Sequence, residues 1–429
     1  MASYDQTIGN PGTHYPFQAS YDATRSTNGP PLRGARRNGQ ADASDVEIAV
    51  FGLIQAGDHA AAWRDLAARA LERNVFYEPD FALAAARHLR EAPRPAFVFA
   101  WDAQRPRGEP GSLLGVFPVA MPSLGFGTIE LFGWRHDQGV LGTPLLDAQR
   151  AADVVEQFFT WMAGVTPLAG GILLPYMAEN GPAAEVIAAV AERTGRLIRR
   201  FGQHERAVLR GGESPEALLA RALPGRRRKE IRRLRRRLEE RGEVALVSAA
   251  SPHEVRDAAE MFLDLEEAGW KGRAGSAFLH TASGASFFRA ATRSLAAQGA
   301  CRIDVLTVAG KPAAAAVMLG EGDRAFYWKT AFDETLSGFS PGVHLSLEVT
   351  RRQLAQPGLA LTDSCAVPDH PMISSLWPDR IAIADWFIPA TPDSNAAGLV
   401  IARETATRRL RKTARTMLSR LRHGKRRQD

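Results

Sequence analysis

The sequence predicts an α+β fold, a mixed α/β sheet covered by helices and built twice along the chain. Three observations carry that reading. Short apolar runs alternate with segments whose apolar residues recur every three or four positions. The 429 residues exceed what one hydrophobic core usually supports. The order of elements is also similar before and after residue 212, although no residue-level repeat is visible. The chain divides into 1–43, 44–212, 213–392 and 393–429.

Residues 1–43 are rich in Gly, Pro, Ser, Thr, Asn and Asp and lack apolar periodicity, the composition of a disordered segment. The first half opens with a strand over 46–54, and Trp63, Leu66, Ala67, Ala70 and Leu71 follow at helical spacing. Asp80 reads as the N-cap of the next helix. Strands are expected over 96–101, 113–121 and 129–132, a helix over 154–162, a strand at 171–174, a helix over 183–193, and late strands at 197–201 and 206–209. The second half opens with a basic helix over 224–241. A strand over 243–248, a helix over 252–267 capped by Ser251, and a helix over 283–298 come next. A hairpin then joins 301–308 to 313–319 through Ala309-Gly310-Lys311-Pro312, and a strand over 324–331 leads to a helix over 341–353. Strands at 360–364 and 383–388 and a basic amphipathic helix within 393–429 complete the order.

Composition narrows the class. The apolar fraction of 45% is that of a soluble globular protein. No run approaches ~18 apolar residues, and Met1-Ala2-Ser3-Tyr4-Asp5 lacks the order of a secretory signal, so a cytoplasmic chain is expected. Cys301 and Cys365 belong to no Cys-x-x-Cys pair and read as small buried strand residues. The histidines show no His-x-x-x-His spacing, and no metal is expected. The net charge of +7 is uneven: 221–241 and 393–429 carry +8 each, which leaves −9 on the rest. The chain is an acidic body bearing two basic helices.

Two blocks carry the chemistry. In the second, Tyr327-Trp328-Lys329-Thr330-Ala331-Phe332-Asp333 runs toward Ser340-Pro341-Gly342. There serine caps, proline takes a position where its missing N–H costs nothing, and glycine lets a ligand approach the backbone. The N–H groups of Gly342, Val343 and His344 are then expected to point outward with the positive helix end, a place for a pyrophosphate. A plain helix start is the alternative. The first block, Glu266-Glu267-Ala268-Gly269-Trp270-Lys271-Gly272, puts two carboxylates at a helix end where the dipole disfavours them, so Lys271 or Arg273 is expected to compensate.

Taken in order, the Trp-Lys-Gly-x-x-Gly block, the Tyr-Trp-Lys-x-Ala-x-Asp strand and the Ser-Pro-Gly helix start resemble GNAT-fold acyltransferases of the CelD or BioF-like group, relatives of the FemAB aminoacyl transferases. The likeness is strongest over 226–388. It implies two tandem GNAT-like acyl-CoA N-acyltransferase domains, with the acceptor side at 44–212 and the acyl donor and chemistry at 213–392. It further implies that Tyr327 to Ala331 splays from the strand at 360–364 above the helix start. The donor would be acetyl-CoA or another acyl-CoA, held by Lys329, Thr330, Ala331, Ser340, Gly342, Val343 and His344. One departure is that the usual Gln/Arg-x-x-Gly-x-Gly/Ala phosphate loop is absent.

Acyl transfer needs a base for the attacking amine and an acid for the leaving thiolate. Asp333 and His370 are candidate bases, Tyr327 a candidate acid, and Glu266 a group to polarise the amine. Trp270, Lys271, Asp363 and Asp369 are placed on the acceptor side. Each has a structural alternative: a turn carboxylate, a surface histidine, a packed tyrosine, a helix-end ion pair. The helix at 226–237 interleaves Ile231, Leu234 and Leu238 with arginines and suits a polyanion. The tail sets Leu410, Met417, Leu418 and Leu421 among basic residues, which suits an anionic lipid surface at the inner face of the membrane, with nucleic acid or a frayed end as the alternatives. Transfer from acyl-CoA to an amine of a cell-envelope or polysaccharide precursor is the leading reading. A charged-tRNA donor and a non-catalytic accessory role in surface polysaccharide assembly are the alternatives.

Overall fold

Among the described residues thirteen strands join into one sheet. The computed structural model describes residues 45–90, 92–120, 129–165, 169–320 and 322–425. The segment expected to be disordered lies outside them. The strands are β1 (Val46–Phe51), β2 (Pro95–Asp102), β3 (Leu113–Ala120), β4 (Ile129–Gly133), β5 (Leu145–Leu146), β6 (Ala169–Ala178) and β7 (Arg199–Arg210), followed by β8 (Val244–Ala249), β9 (Cys301–Val308), β10 (Lys311–Leu319), β11 (Arg324–Phe332), β12 (Leu361–Asp363) and β13 (Asp379–Pro389). Across the sheet they run β1-β2-β3-β4-β6-β13-β7-β12-β11-β10-β9-β8, with β5 beside β3. Only β4–β6 and β11–β12 are parallel pairs within this set, so the sheet is mixed and mostly antiparallel.

The two parallel pairs mark equivalent places. The helix Ala151–Val165 links β4 to β6, and the helix Pro341–Leu354 links β11 to β12. Each pair ends its parallel register at a phenylalanine, Phe132 opposite Leu173 and Phe326 opposite Asp363. That register sets Phe132-Gly133-Trp134-Arg135 against Phe326-Tyr327-Trp328-Lys329, a residue-level trace of repetition that the sequence alone does not reveal.

Each half is completed by a strand of the other. β13, from the far end of the chain, lies between β6 and β7, pairing Ile383 with Ala178 and Asp379 with Val208. β7 in turn pairs with β12 through Val208 and Asp363. Residues 213–392 expressed alone therefore lack β7 and expose the flanks of β12 and β13, each a row of unpaired backbone groups. This fragment is expected to show no cooperative thermal transition where the full chain shows one, as followed by near-ultraviolet circular dichroism. A sharp transition from the fragment would contradict the exchange.

Burial follows the same plan. β2 and β3 are buried almost throughout because both sheet faces are covered, and their sequences are accordingly continuous apolar runs. On one face a single core crosses both halves, joining Trp63, Phe81 and Phe97 to Phe262, Phe287 and Trp328. On the other face there are two separate cores, each closed by the exchanged strand, β13 in one and β7 in the other.

Several local expectations are corrected. Asp80 is not the N-cap: Glu78 holds that position with Pro79 in the first turn, and Asp80 pairs with Arg64 at 2.8 Å. The two late strands of the first half are one continuous β7. Cys301 is buried in β9, but Cys365 lies just beyond β12, half-buried and at φ 55°. The C-terminal helix, Asn395–Lys425, docks by Ala397 and Val400 against Leu173 and Phe387 and by an Arg408–Asp385 pair at 2.6 Å. Leu410 is exposed, and the side chains of Met417, Leu418 and Leu421 lie outside the described residues. Among the described residues no helix is long and apolar enough to cross a membrane.

Candidate functional site

β11 leaves β12 after three residue pairs, the last being Phe326 with Asp363. Two features turn the strands apart. On the β10 side Val317 pairs with Lys329 and Met318 with Tyr327, so Trp328 is the extra residue of a β-bulge. On the other side the Asp363 carboxylate accepts the Cys365 N–H at 2.9 Å, Cys365 takes its left-handed conformation, and the Ser364 N–H bonds Ala207 of β7 at 3.2 Å. The stretch Tyr327 to Phe332 is thereby left without β12 beside it, the divergence expected of a donor cleft.

The helix start beneath it differs from expectation in detail. Ser340 sits at φ 57°, ψ 50°, and its side chain makes no capping bond. In that conformation its carbonyl accepts the N–H groups of Val343 and His344, at 3.0 and 3.2 Å. The outward set of N–H donors thus reduces to that of Gly342. The His344 side chain is buried, and burial lowers its pKa to about 4, with Arg235 adding to the effect. A Cβ on Gly342 would meet Phe332 at 3.7 Å and Met372 at 3.9 Å, which is ordinary contact. Tyr327 points down toward this helix, its hydroxyl 2.8 Å from Ser346 Oγ, which itself donates to the Gly342 carbonyl at 2.8 Å. Burial raises the phenol pKa, so it is protonated at neutral pH.

Other predicted residues hold structure together. Glu266 is buried, pairs with Lys271 at 2.7 Å and accepts the Phe278 N–H at 2.9 Å, so both oxygens are engaged. Arg273 also reaches that helix end, one of its Nη atoms donating to the Ala268 carbonyl at 3.5 Å while the other pairs with Glu334 at 2.5 Å. Glu334 also accepts the Trp270 N–H at 2.7 Å, which ties the first block to the segment between β11 and the Pro341 helix. Asp333 caps that segment by accepting from Thr335 N–H and Oγ, at 2.9 and 2.7 Å. His370 caps the short helix Ile373–Leu376 through Nδ1, 3.3 Å from the Met372 N–H, and burial lowers its pKa. Asp369 is exposed at φ 56°. Asp363 is fully buried and pairs with Arg206 at 2.6 Å.

Lys329 is the predicted residue whose surroundings are least structural. The bulge turns its ammonium over the rings of Trp328 and Phe278, 5.3 and 5.4 Å from their centroids. Among the described residues no carboxylate lies within ion-pair distance. Burial, then the Lys271 charge, lowers its pKa to about 8 against the opposing influence of Glu266, Cys365 and Asp137. Thr330 beside it is half-buried, whereas Ala331 is buried.

Facing Lys329 is a segment that sequence reasoning passed over, the loop from Trp134 to Thr143 of the first half. One bond crosses between the halves, Trp328 Nε1 donating to the Gln138 carbonyl at 2.9 Å, and within the first half Arg206 donates to the Val140 carbonyl at 2.8 Å and Asn74 to those of Leu141 and Thr143. His136 on this loop is buried between Trp134 and Phe81, and burial aided by Lys329 lowers its pKa to about 3. The only sequence signal for it was a His between two charged residues after an apolar strand. Among the described residues no group of three or more His, Cys, Asp or Glu is placed to hold a metal.

Residues 225–365 match the family model of the acetyltransferase (GNAT) domain. A comparison with curated proteins finds no match. Among solved structures the chain is similar to FemX, at 9% identity and TM-score 0.50, over 80% of this chain and 96% of that one. It is also similar to the C-terminal domain of a chain named as a lysylphosphatidylglycerol synthetase from Agrobacterium fabrum, at 12% identity and TM-score 0.48, over 81% and 96%. A tandem GNAT protein from the clavulanic acid biosynthesis pathway is matched at 18% identity and TM-score 0.37, over 81% and 100%. At such identities the FemX likeness speaks for the fold alone.

Proposed function

We propose that this chain is an N-acyltransferase of the CelD or BioF-like kind, moving an acyl group from acyl-CoA to an amine, with the donor in the second half. The observation that carries the reading is the strand divergence at Phe326 above the Ser340-Pro341-Gly342 helix start, inside the segment that matches the GNAT domain. The free backbone of Tyr327 to Phe332 suits the amide chain of the donor, and the positive helix end suits its phosphates. In the reaction the amine attacks the thioester carbonyl, a C–N bond forms, the C–S bond breaks, and the thiolate takes a proton.

The equivalent place in the first half supports the choice of the second. There Asp147 accepts the Gln149 and Arg150 N–H groups, at 2.9 and 3.0 Å, ahead of the helix Ala151–Val165, and pairs with Arg69. A carboxylate already fills that helix start. The gap beyond β4 is closed as well, since a Cβ on Gly142 would lie 2.0 Å from the Pro175 carbonyl.

Calorimetric titration with coenzyme A and acetyl-CoA is the test, backed by mass spectrometry of small molecules that co-purify. Saturable binding with a stoichiometry near one per chain is expected. Absence of binding by any acyl-CoA sinks the reading. One observation favours a second reading, a charged-tRNA donor: Arg237 and Arg241 lie over Phe339, 5.3 and 5.8 Å from its ring, which places the end of the basic helix beside the cleft mouth. Transfer from aminoacyl-tRNA that persists at physiological salt separates it from electrostatic attraction alone.

A further inference from the structure

Among the described residues, the seam between the halves collects buried polar atoms that have no partner. His136 is 7% exposed; its Nδ1 accepts the Gln138 N–H at 3.3 Å, which assigns the proton to Nε2, and Nε2 bonds nothing. Gln138 Oε1, Thr143 Oγ1, Arg206 Nε, and Nε and Nη2 of Arg324 are buried and unbonded in the same way. Lys329 adds a half-buried ammonium over two ring faces with, among the described residues, no carboxylate within ion-pair distance. Buried polar groups are nearly always satisfied, so a concentration of exceptions calls for an absent partner.

These groups belong to one neighbourhood. Phe81 lies against both His136 and Trp328, with ring centroids 6.0 and 5.5 Å apart, and Trp328 reaches the Gln138 carbonyl. Arg206 holds the same loop at Val140, and Arg324 lies over Phe326, the residue at which β11 diverges. The loop tip, Asp137 to Val140, is exposed or half-exposed.

The unmet groups are mostly donors. His136 Nε2, Arg206 Nε, Nε and Nη2 of Arg324, and Lys329 offer N–H, with Arg206 and Arg324 already paired through their other nitrogens to Asp363 and Glu72, against the Gln138 side-chain amide oxygen and a hydroxyl that can serve either way. An amine alone would bring a further cation beside Lys329. A carboxylate carried with the amine answers both the donor excess and the charge, through charge-assisted hydrogen bonds in a shielded place.

We propose that this seam binds the acceptor and that the acceptor is an amino acid or an amine with a carboxylate close by, its oxygens taken by Lys329 and by His136 Nε2–H while its amine faces the donor along β11. The proposal rests on the acyl-transfer reading for the role of the amine, but amino-acid binding at the seam is testable without any donor.

The probes are glycine, β-alanine and 4-aminobutyrate, each beside its carboxylate-free counterpart, methylamine, ethylamine and propylamine. They are added to the full chain while the His136 ring is followed by nitrogen–proton NMR, the signal assigned by loss in His136→Gln. At least one amino acid is expected to shift the signal saturably while its matched amine leaves it in place. Lys329→Met, which keeps length and apolar contact with Trp328 and Phe278, is expected to weaken that binding by about tenfold or more, the equivalent of one charge-assisted bond. The proposal is overturned if no amino acid moves the signal, if the matched amines move it equally, or if Lys329→Met binds as tightly as the parent. Coenzyme A titrated into the same samples separates the two ideas. Coenzyme A binding without amino-acid binding overturns the carboxylate inference and leaves acyl transfer standing; the converse does the opposite.

Discussion

Asp363→Ala is expected to destabilise the chain by about 3–5 kcal/mol, the usual cost of stranding one member of a buried ion pair. Asp363 is fully buried and Arg206 is 3% exposed, so the guanidinium left behind has no water to turn to. The loss extends beyond the pair. Asp363 also accepts the Cys365 N–H, which shapes the turn that parts β12 from β11, and Arg206 also anchors the Val140 carbonyl of the opposing loop. The loss is a large share of the ~5–15 kcal/mol that holds a typical domain folded. Urea unfolding followed by tryptophan fluorescence measures it. The control is the double change Arg206→Met with Asp363→Leu, which removes both charges and fills the volume with apolar atoms; it should recover most of the deficit. If single and double variants unfold at the same urea concentration, the pair is not what joins β7 to β12.

That pair also shows where the sequence ceases to be legible. Local chemistry read well. Ser251 and Glu254 close a capping box, with the Ser251 N–H donating to Glu254 at 3.0 Å. Ala309 and Gly310 take the paired positive φ values, 48° and 74°, of a tight hairpin turn. Each of these depends on residues a few positions apart. The placement of β13 between β6 and β7 does not, because it pairs strands separated by roughly two hundred positions and no neighbouring residue encodes the choice. For the same reason Glu334 went unremarked, although it joins the two blocks singled out from the sequence. Glu266, Asp333 and His370 were read by chemical type, and their type is equally that of a helix-end partner or a cap, which is the work their contacts describe. The His136 loop had no periodicity to mark it; its interest lies in groups left unsatisfied, a property of the packed chain and not of the string.

Gly342→Glu is expected to reduce coenzyme A affinity by about 100-fold or more while leaving the fold as stable as before. The stability half follows from position. Gly342 stands in the first turn of the Pro341–Leu354 helix, where a carboxylate gains about 0.3–1 kcal/mol from the dipole. Replacing glycine within a helix recovers about 0.5–1 kcal/mol of backbone entropy. Its Cβ would find only ordinary contacts with Phe332 and Met372. The binding half follows from charge: a carboxylate about 4 Å from a donor phosphate opposes it by about 4 kcal/mol at an effective dielectric near 20, more than enough for the stated loss. Gly342→Ala is the matching control and should bind within a few-fold of the parent. Calorimetry with coenzyme A and thermal unfolding of the same three proteins give both halves. Loss of affinity with retained stability places the phosphates at this helix start; unchanged affinity removes them from it. The first half of the chain already contains the equivalent arrangement, since Asp147 occupies its own helix start with two backbone N–H groups and Arg69. Asp147→Gly opens that start by deleting the carboxylate. It is expected to leave coenzyme A stoichiometry at one per chain, because Pro175 still blocks the gap beyond β4.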